Sequence, residues 1–494
     1  MAFNSEKVRL FFGLKIKQLR IEKCFSLSDL AQQVGFSVSY LNEIEKGKKY
    51  PKADKIFALA SALDTDYDTL VSLKLSKKLE PIAELLNSNV LTELPLEMFG
   101  VHPSDFLELM SEAPSKLSAF ISTIVEISRN YDMHVEQFFF SVLRSYQEMH
   151  DNYFVEMEDA ASRFLAEHHL ADSPTLDADF LEKCLSAEYG YQVENFDETT
   201  HPDLMSLRSV FVPKQNKLLI NRSLNPEQRA FTLGREVGYH YMKIKVRPLV
   251  SSVIEVRSFD EVFNNFKASY FARAILINRQ VLIPKLASFF SRLEFDGQAF
   301  LNLLGLFNTT PEMFLHRMTN VMTSHFGINQ LFFLRFNHTM SDNLFYLEKE
   351  LHLAQLHSPH GTALNEHYCR RWVSLTILKE LETQRQQGTW SGKPLCRAQI
   401  SDYIDSGNQY FVLSLAKPSP PKPDRNSSVT LGFAIDEKLK KVFKFLADPA
   451  LPQRKVNETC EHCALTPCPD RAEEPTTWQK KQHIERLKKA LEGL

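Results

Sequence analysis

Hydrophobic positions along the chain recur mostly every three or four residues, the spacing of helices with one buried face, and only a few short runs have a strand pattern. Residues 1–78 show short periodic stretches separated by tight turns, which predicts a set of small helices. Residues 79–170 predict a helical linker or dimerisation segment. Pro95, Pro103 and Pro114 interrupt it, and Phe120, Ile124, Ile127 and Tyr131 share one face. Residues 171–278 are mixed: QNKLLIN reads as a strand, and PEQRAFTLGREVGYHYM and NNFKASYFARAILI read as buried helices. Residues 279–494 contain strand-like LFFLRFN and QYFVLSLA, a Pro-rich loop at PSPPKPDR and a cysteine cluster. The expected fold class is mainly α with a smaller α+β part. No internal repeat of about 20–50 residues is present.

Composition narrows this further. A chain of 494 residues with 44% hydrophobic and 24% charged positions can bury several cores, which excludes disordered and low-complexity classes. With 16 Gly against 37 Phe, an all-β architecture is excluded in favour of helices around aromatic cores. No apolar run reaches the roughly 18 residues of a membrane span. The start MAFNSEKVRLFF has no basic region followed by a sustained apolar one, so the expected location is the cytoplasm with no membrane partner. The net charge of −3 is uneven. Residues 1–78 carry 14 Lys and Arg against 9 Asp and Glu, so the N-terminus is the expected polyanion binder.

SLSDLAQQVGFSVSYLNEIEKG, residues 26–47, has the layout of a helix-turn-helix. Ser26 caps the first helix and Ala31 is small enough for a close crossing. Gly35 makes the turn, Ser37 caps the second helix, and Leu41 and Ile44 return to the core. A helix seated in the major groove must present short side chains near its start. Val38, Ser39, Tyr40, Asn42 and Glu43 hold those positions. Lys15, Lys17, Arg20, Lys46, Lys48 and Lys49 are the expected phosphate contacts. With its flanking helices the segment resembles the Cro/C1-type (XRE) family over about 65 residues, which implies a five-helix DNA-binding domain.

FTLGREVGYHYM, residues 231–242, resembles the active-site helix of the ImmA/IrrE metallopeptidase family, whose pattern is H-E-x-x-H. Zinc needs two imidazoles at i and i+4 on one helical face, with the intervening Glu as general base. Here Arg235 and Tyr239 stand at the histidine positions, and His240 is one residue out of register. The family's third ligand is a Glu on the next helix, and Asn265 and Lys267 fill the corresponding carboxylate positions. The expectation is an IrrE-like, zincin-type domain at 171–278 without zinc ligands and without catalytic residues.

Cys460, Cys463 and Cys468 form a C-x2-C-x4-C run before Pro469, a spacing suited to metal chemistry that leaves a fourth ligand to come from afar. Cys369 and Cys396 are the candidates, whereas Cys24 and Cys184 read as ordinary buried thiols. The stretch HRMTNVMTSHFGINQLFFLRFN, the Cys369-x-x-Trp372 motif and the cluster followed by Arg471-Ala472 resemble the short-chain fatty-acid regulator family. Those bacterial transcription factors carry an XRE domain, an IrrE-like domain and a cysteine-bearing C-terminal domain in this order. The resemblance implies Cys369 as fourth ligand beside Cys460, Cys463 and Cys468, and a short-chain acyl-CoA as effector. An iron-sulfur cluster and, alternatively, zinc remain open as the occupant, because four thiolates suit either.

The expected protein is a non-enzymatic transcriptional regulator. Its partners are double-stranded operator DNA, a second copy of itself and a small-molecule effector, sensed by an α+β domain over 279–494. Arg317 and Arg335, each beside an apolar segment, are candidate contacts to the effector's phosphates. The alternatives are an IrrE-type metallopeptidase that cleaves a repressor, or a toxin-antitoxin-type regulator.

Overall fold

A computed structural model describes residues 2–74, 135–250, 258–340, 344–353, 366–419 and 424–493. The face built from Phe120, Ile124, Ile127 and Tyr131 lies outside these. The chain divides into two compact units, one of residues 1–141 with 257–259, the other of 142–256 with 260–494.

In the first unit five helices run in order: α1 Ala2–Glu22, α2 Leu27–Val34, α3 Val38–Glu45, α4 Ala53–Ala62 and α5 Tyr67–Val71. Local chemistry sets the ends of α2 and α3. Ser26 and Asp29 form a reciprocal capping box at the start of α2. Gly35 takes the left-handed conformation, φ 67°, that ends it, a region that favours a residue without Cβ. The Ser37 hydroxyl accepts the Tyr40 amide at 3.2 Å and starts α3. Phe12, Ile16, Leu30, Ala31, Leu41, Ile44, Ile56, Leu59 and Leu70 close into one core, so the outer face of α3 is left to solvent.

The second unit is helix-rich around two sheets. Helix α6, Val135–Met149, spans the division between the units; α7 Val155–Glu167 and α8 Ala178–Tyr189 follow. A three-stranded sheet then forms from β1 Gln192–Phe196, β2 Ser209–Val212 and β3 Lys217–Asn221, in the order β1-β3-β2, with β3 parallel to β1 and antiparallel to β2. The two helices expected from the pattern form as α9 Pro226–Tyr241 and α10 Phe259–Leu276. They cross closely at Gly238, where a Cβ would lie 3.0 Å from the Phe271 ring and 3.2 Å from the Ala268 carbonyl oxygen.

Helices α11 Arg279–Phe290, α12 Gly297–Gly305 and α13 Pro311–His325 precede a six-stranded sheet. Its strands are β4 Leu331–Thr339, β5 Phe345–His352, β6 Leu395–Tyr403, β7 Gln409–Pro418, β8 Arg425–Ala434 and β9 Gln453–Val456, with α14 Val373–Gln386 inserted after β5. The order is β5-β4-β8-β7-β6-β9, antiparallel except for the β6–β9 pair. Side chains alternate across it. Phe332, Leu334 and Phe336 join Leu375, Leu378 and Leu381 of α14 on one face. Phe411 and Phe433 meet Phe443 and Phe445 on the other. Helices therefore cover both faces, which is why β4, β7 and β8 are buried along nearly their whole length. A short helix, α15 Glu437–Val442, and an exposed helix, α16 Thr476–Glu492, complete the chain. The boundary expected at residue 278 is a change of pattern within one compact body, because α10 and α13 are joined through buried side chains.

Two expected ligand contacts are part of that joinery. Arg317 is fully buried, gives two hydrogen bonds to Glu158 of α7 and a third to the Ile277 carbonyl oxygen at 3.1 Å. Arg335 is held by Glu312 at 3.0 Å and Glu348 at 3.4 Å. Both guanidiniums are already neutralised by carboxylates, which corrects their assignment as phosphate contacts.

Candidate nucleic-acid interface and cysteine site

Along α3, the positions that do not enter the core are Val38, Ser39 and Asn42, all exposed, with Tyr40 and Glu43 half-buried. The core residues Leu41 and Ile44 fix the opposite face, so the exposed set shares one side of the helix. The Tyr40 ring is packed edge-on against Phe36, 5.5 Å between centroids, and the Lys55 ammonium lies 4.4 Å from its centre. That cation was not singled out from sequence, since only the fold brings α4 alongside α3. Lys48 and Lys49 are exposed, and Lys49 pairs with Glu43 at 2.7 Å; Lys17 and Lys46 are half-buried.

Two expected phosphate contacts are structural instead. Lys15 is buried, and its ammonium donates to the Thr69 carbonyl at 2.7 Å, to the Ser72 hydroxyl at 2.8 Å and to the Ser72 carbonyl. It thereby satisfies the open end of α5. Arg20 gives two hydrogen bonds to the buried Glu45, at 2.6 and 2.9 Å, and one to the Phe25 carbonyl at 2.9 Å. It ties α1 to the end of α3.

In the second unit, α9 and α10 bring together the residues expected at vacated ligand positions. The Tyr239 hydroxyl donates to Asn265 Oδ1 at 3.0 Å, and Arg235 Nη1 donates to the same oxygen at 3.5 Å. Lys267 instead sits over the Phe263 ring, 4.2 Å from its centre, so Asn265 is the member that joins the group. Glu236, 1% exposed, is held by the Arg247 guanidinium. Arg247 lies between the Phe211 and Tyr239 rings, 4.1 Å from each centre. His240 hydrogen-bonds the Tyr191 hydroxyl at 2.8 Å. Glu236, expected from the pattern at the place of a general base, is thus part of a buried ion pair, and the pattern alone gave no sign of the partner because Arg247 lies beyond α9.

The four cysteines share one recess. Cys369, Cys460, Cys463 and Cys468 line one recess of about 270 Å³, counting its open mouth, with Arg370, Arg371, Lys455, Val456, Asp470 and Arg471. A two-residue β-bridge does this: the Cys369 amide donates to the Glu458 carbonyl at 3.1 Å and the Cys460 amide to the His367 carbonyl at 2.9 Å. Arg471 folds the intervening loop by donating to the carbonyls of Cys460, Cys463 and Leu465 at 3.0, 3.2 and 2.6 Å. Amides of Ala472 and Leu465 point at the Cys460 and Cys463 sulfurs, 3.3 and 3.5 Å away. The Leu465 N–H and the Arg471 charge draw the Cys463 thiol down, but burial outweighs them and leaves it raised. Burial likewise takes the metal-free Cys369 thiol up to about 11. Cys396 lies on β6 against Gly297 and does not line the recess.

A third grouping escaped the sequence reading. Glu312 pairs with Lys349 at 2.6 Å and with Arg335 at 3.0 Å, with the Arg208 charge nearby, and Arg273 and Lys349 stand near His316. Arg273 is buried with no acceptor for its Nε, and burial takes it down to about 10. Burial together with the Arg273 and Lys349 charges takes His316 down to about 3.

The sequence comparisons cover the N-terminal segment. Residues 16–70 match the helix-turn-helix family model. The HTH-type transcriptional regulators SinR of Bacillus licheniformis and of Bacillus subtilis are each 38% identical over 63 residues, 13% of this chain and 57% of theirs. The chain therefore spans little more than half the length of these curated relatives. A solved Mycobacterium tuberculosis transcriptional regulator overlays 68% of this chain and 93% of its own, with a TM-score of 0.46 and 18% identity. Among the described residues no helix is long and apolar enough to cross a membrane. The N-terminal segment is a helix-turn-helix of the Cro/C1 type.

Proposed function

We propose that the chain is a sequence-specific, dimeric DNA-binding transcriptional regulator whose second unit senses an anionic metabolite. The observation that carries the reading is α3: a helix capped by Ser37, anchored by Leu41 and Ile44, and offering Val38, Ser39 and Asn42 to solvent within a Cro/C1-type unit. Such a helix reads base edges while flanking lysines fix the backbone. Selection of bound duplexes from a random pool by the full-length protein tests it. Recovery of one two-fold-related sequence motif is expected; recovery of unenriched sequence would remove the reading.

The sensing part rests on Arg273, a buried guanidinium near Glu312 whose Nε has no hydrogen-bond partner. Phosphates of a short-chain acyl-CoA suit such a setting. Acetyl-CoA or propionyl-CoA should raise the melting temperature of the wild-type protein, and Arg273→Met should abolish that rise.

The cysteine recess fits a resident metal group. Four sulfurs on one cavity, two of them receiving amide hydrogen bonds, with four basic side chains on the lining, suit an iron-sulfur cluster, with zinc the alternative. Either would supply a cross-link between Cys369 and the segment 460–468. The chain's own contribution is the bridge at Tyr368–Thr459 and the Arg471 clamp, which hold the two cysteine-bearing segments on one recess. A visible band near about 400 nm in protein purified without oxygen separates the two occupants.

A further inference from the structure

Cys184 reads from sequence as an inert thiol in an apolar helix, yet the fold surrounds it with chemistry. Cys184 and Glu188 stand four residues apart on α8 and therefore share one face. His168, the residue that ends α7, turns its ring toward them. Its Nε2 lies 3.7 Å from Glu188 Oε1, and one donor atom from each of the three side chains falls within 4.8 Å of the other two. We propose that His168, Cys184 and Glu188 form a zinc site, separate from the C-terminal cysteine recess.

The donor set selects the metal. Imidazole, thiolate and carboxylate together suit a borderline-soft divalent ion, whereas calcium and magnesium require oxygen ligands throughout. Zinc bonds of about 2.0–2.3 Å in a tetrahedron place ligand atoms roughly 3.4–3.7 Å apart. The pair His168–Glu188, at 3.7 Å, already meets that separation, and the other two pairs need at most about 1.4 Å of closure, within the reach of a side-chain torsion.

The surroundings hold the ligands and leave a way in. The His168 ring is packed by Phe164 and Phe180, 4.5 and 5.4 Å between centroids. The Cys184 side chain is buried, while those of His168 and Glu188 are 21% and 44% exposed, so the fourth position faces solvent and can take water. A divalent cation at this point would neutralise the Glu188 carboxylate that lies beside the Cys184 sulfur. Binding releases the thiol proton to water. Bound zinc would staple the end of α7 to the last turns of α8 across residues 169–177, fixing a connection otherwise ordered by loop contacts. This inference stands independently of the regulatory reading.

The test is made on the full-length chain, stripped with a chelator and reloaded with zinc. Iodoacetamide labelling followed by peptide mass spectrometry reads Cys184 separately from the cysteines of the recess. In the wild type, zinc should slow Cys184 labelling by about tenfold or more, since a metal-bound thiolate is withdrawn from attack. His168→Gln and Glu188→Gln should each remove that protection while leaving zinc-dependent labelling of Cys460, Cys463 and Cys468 as it was. Cys184→Ser should bind one equivalent of zinc fewer by elemental analysis. Unchanged Cys184 labelling with zinc in the wild type overturns the proposal, and because that measurement needs no variant it holds even if Cys184→Ser does not fold. Protection that persists in both His168→Gln and Glu188→Gln also overturns it.

Discussion

Arg317 and Glu158, 159 positions apart, face each other as a two-point ion pair from which solvent is excluded, 0% and 1% exposed. The Tyr270 hydroxyl adds a hydrogen bond to the same carboxylate at 2.6 Å, so α7, α10 and α13 converge on one buried charge. Removing one member strands the other in a low-dielectric site. Arg317→Met or Glu158→Gln should therefore cost about 3–5 kcal/mol in urea unfolding followed in the second unit. A loss below about 1 kcal/mol would show the pair to be solvated in solution.

The same pair sets an acid limit. Burial alone would raise the Glu158 carboxyl, but the Arg317 charge and hydrogen bonds outweigh it and hold the group below the usual carboxylate range. A depressed folded-state value stabilises the fold above the unfolded value, about 4.3, and that stability drains as pH falls through the folded value. Acid unfolding of the second unit should steepen below about pH 4 in the wild type and be flatter there in Glu158→Gln, as circular dichroism against pH would record.

Arg20 and Ser39 should separate structure from recognition. Arg20→Ala leaves Glu45, 3% exposed, without its partner, and should lower the melting temperature of the N-terminal unit without changing the salt slope of DNA binding. Ser39→Ala should keep the fold and lose about 1–3 kcal/mol on the selected sequence alone. Lys48→Ala should weaken all sequences alike and reduce the salt slope by about 1.

Glu236→Gln probes the buried Glu236–Arg247 pair. With Arg247 left uncompensated between two aromatic rings, the variant should lose about 3–5 kcal/mol, and Glu236→Gln combined with Arg247→Met should recover part of it. Thermal unfolding of the two variants decides this.

Cysteine variants should fall into two groups. Ser at Cys369, Cys460, Cys463 or Cys468 should abolish the metal signal of the recess and raise protease sensitivity after Arg279, because the site joins segments about 90 residues apart. Ser at Cys396, packed on β6 against Gly297, should leave that signal intact. Optical spectra and limited proteolysis check both.

What was legible in the sequence is what short-range chemistry sets. Ser26, Asp29, Gly35 and Ser37 specify the ends of α2 and α3 through hydrogen bonds spanning a few residues, and the apolar spacing of Leu41 and Ile44 orients α3. The cysteine run carried its own spacing. Helices α9 and α10 were legible from their length and pattern. Of the nine described strands, β3, β4 and β7 stood out as apolar runs, whereas β1, β5 and β9, largely solvent-facing, have no alternation strong enough to read.

Charge partners were decided by the tertiary structure alone. An isolated Lys15, Arg20, Arg317 or Arg335 has the same pattern whether it meets phosphate or a carboxylate of its own chain, and each found an internal acceptor. Cys184 likewise acquired His168 only because α7 ends beside α8. The physical reason is common to all: caps and periodicity depend on neighbours along the chain, whereas the state of a charged or ligating group depends on what the fold carries to within a few ångströms of it.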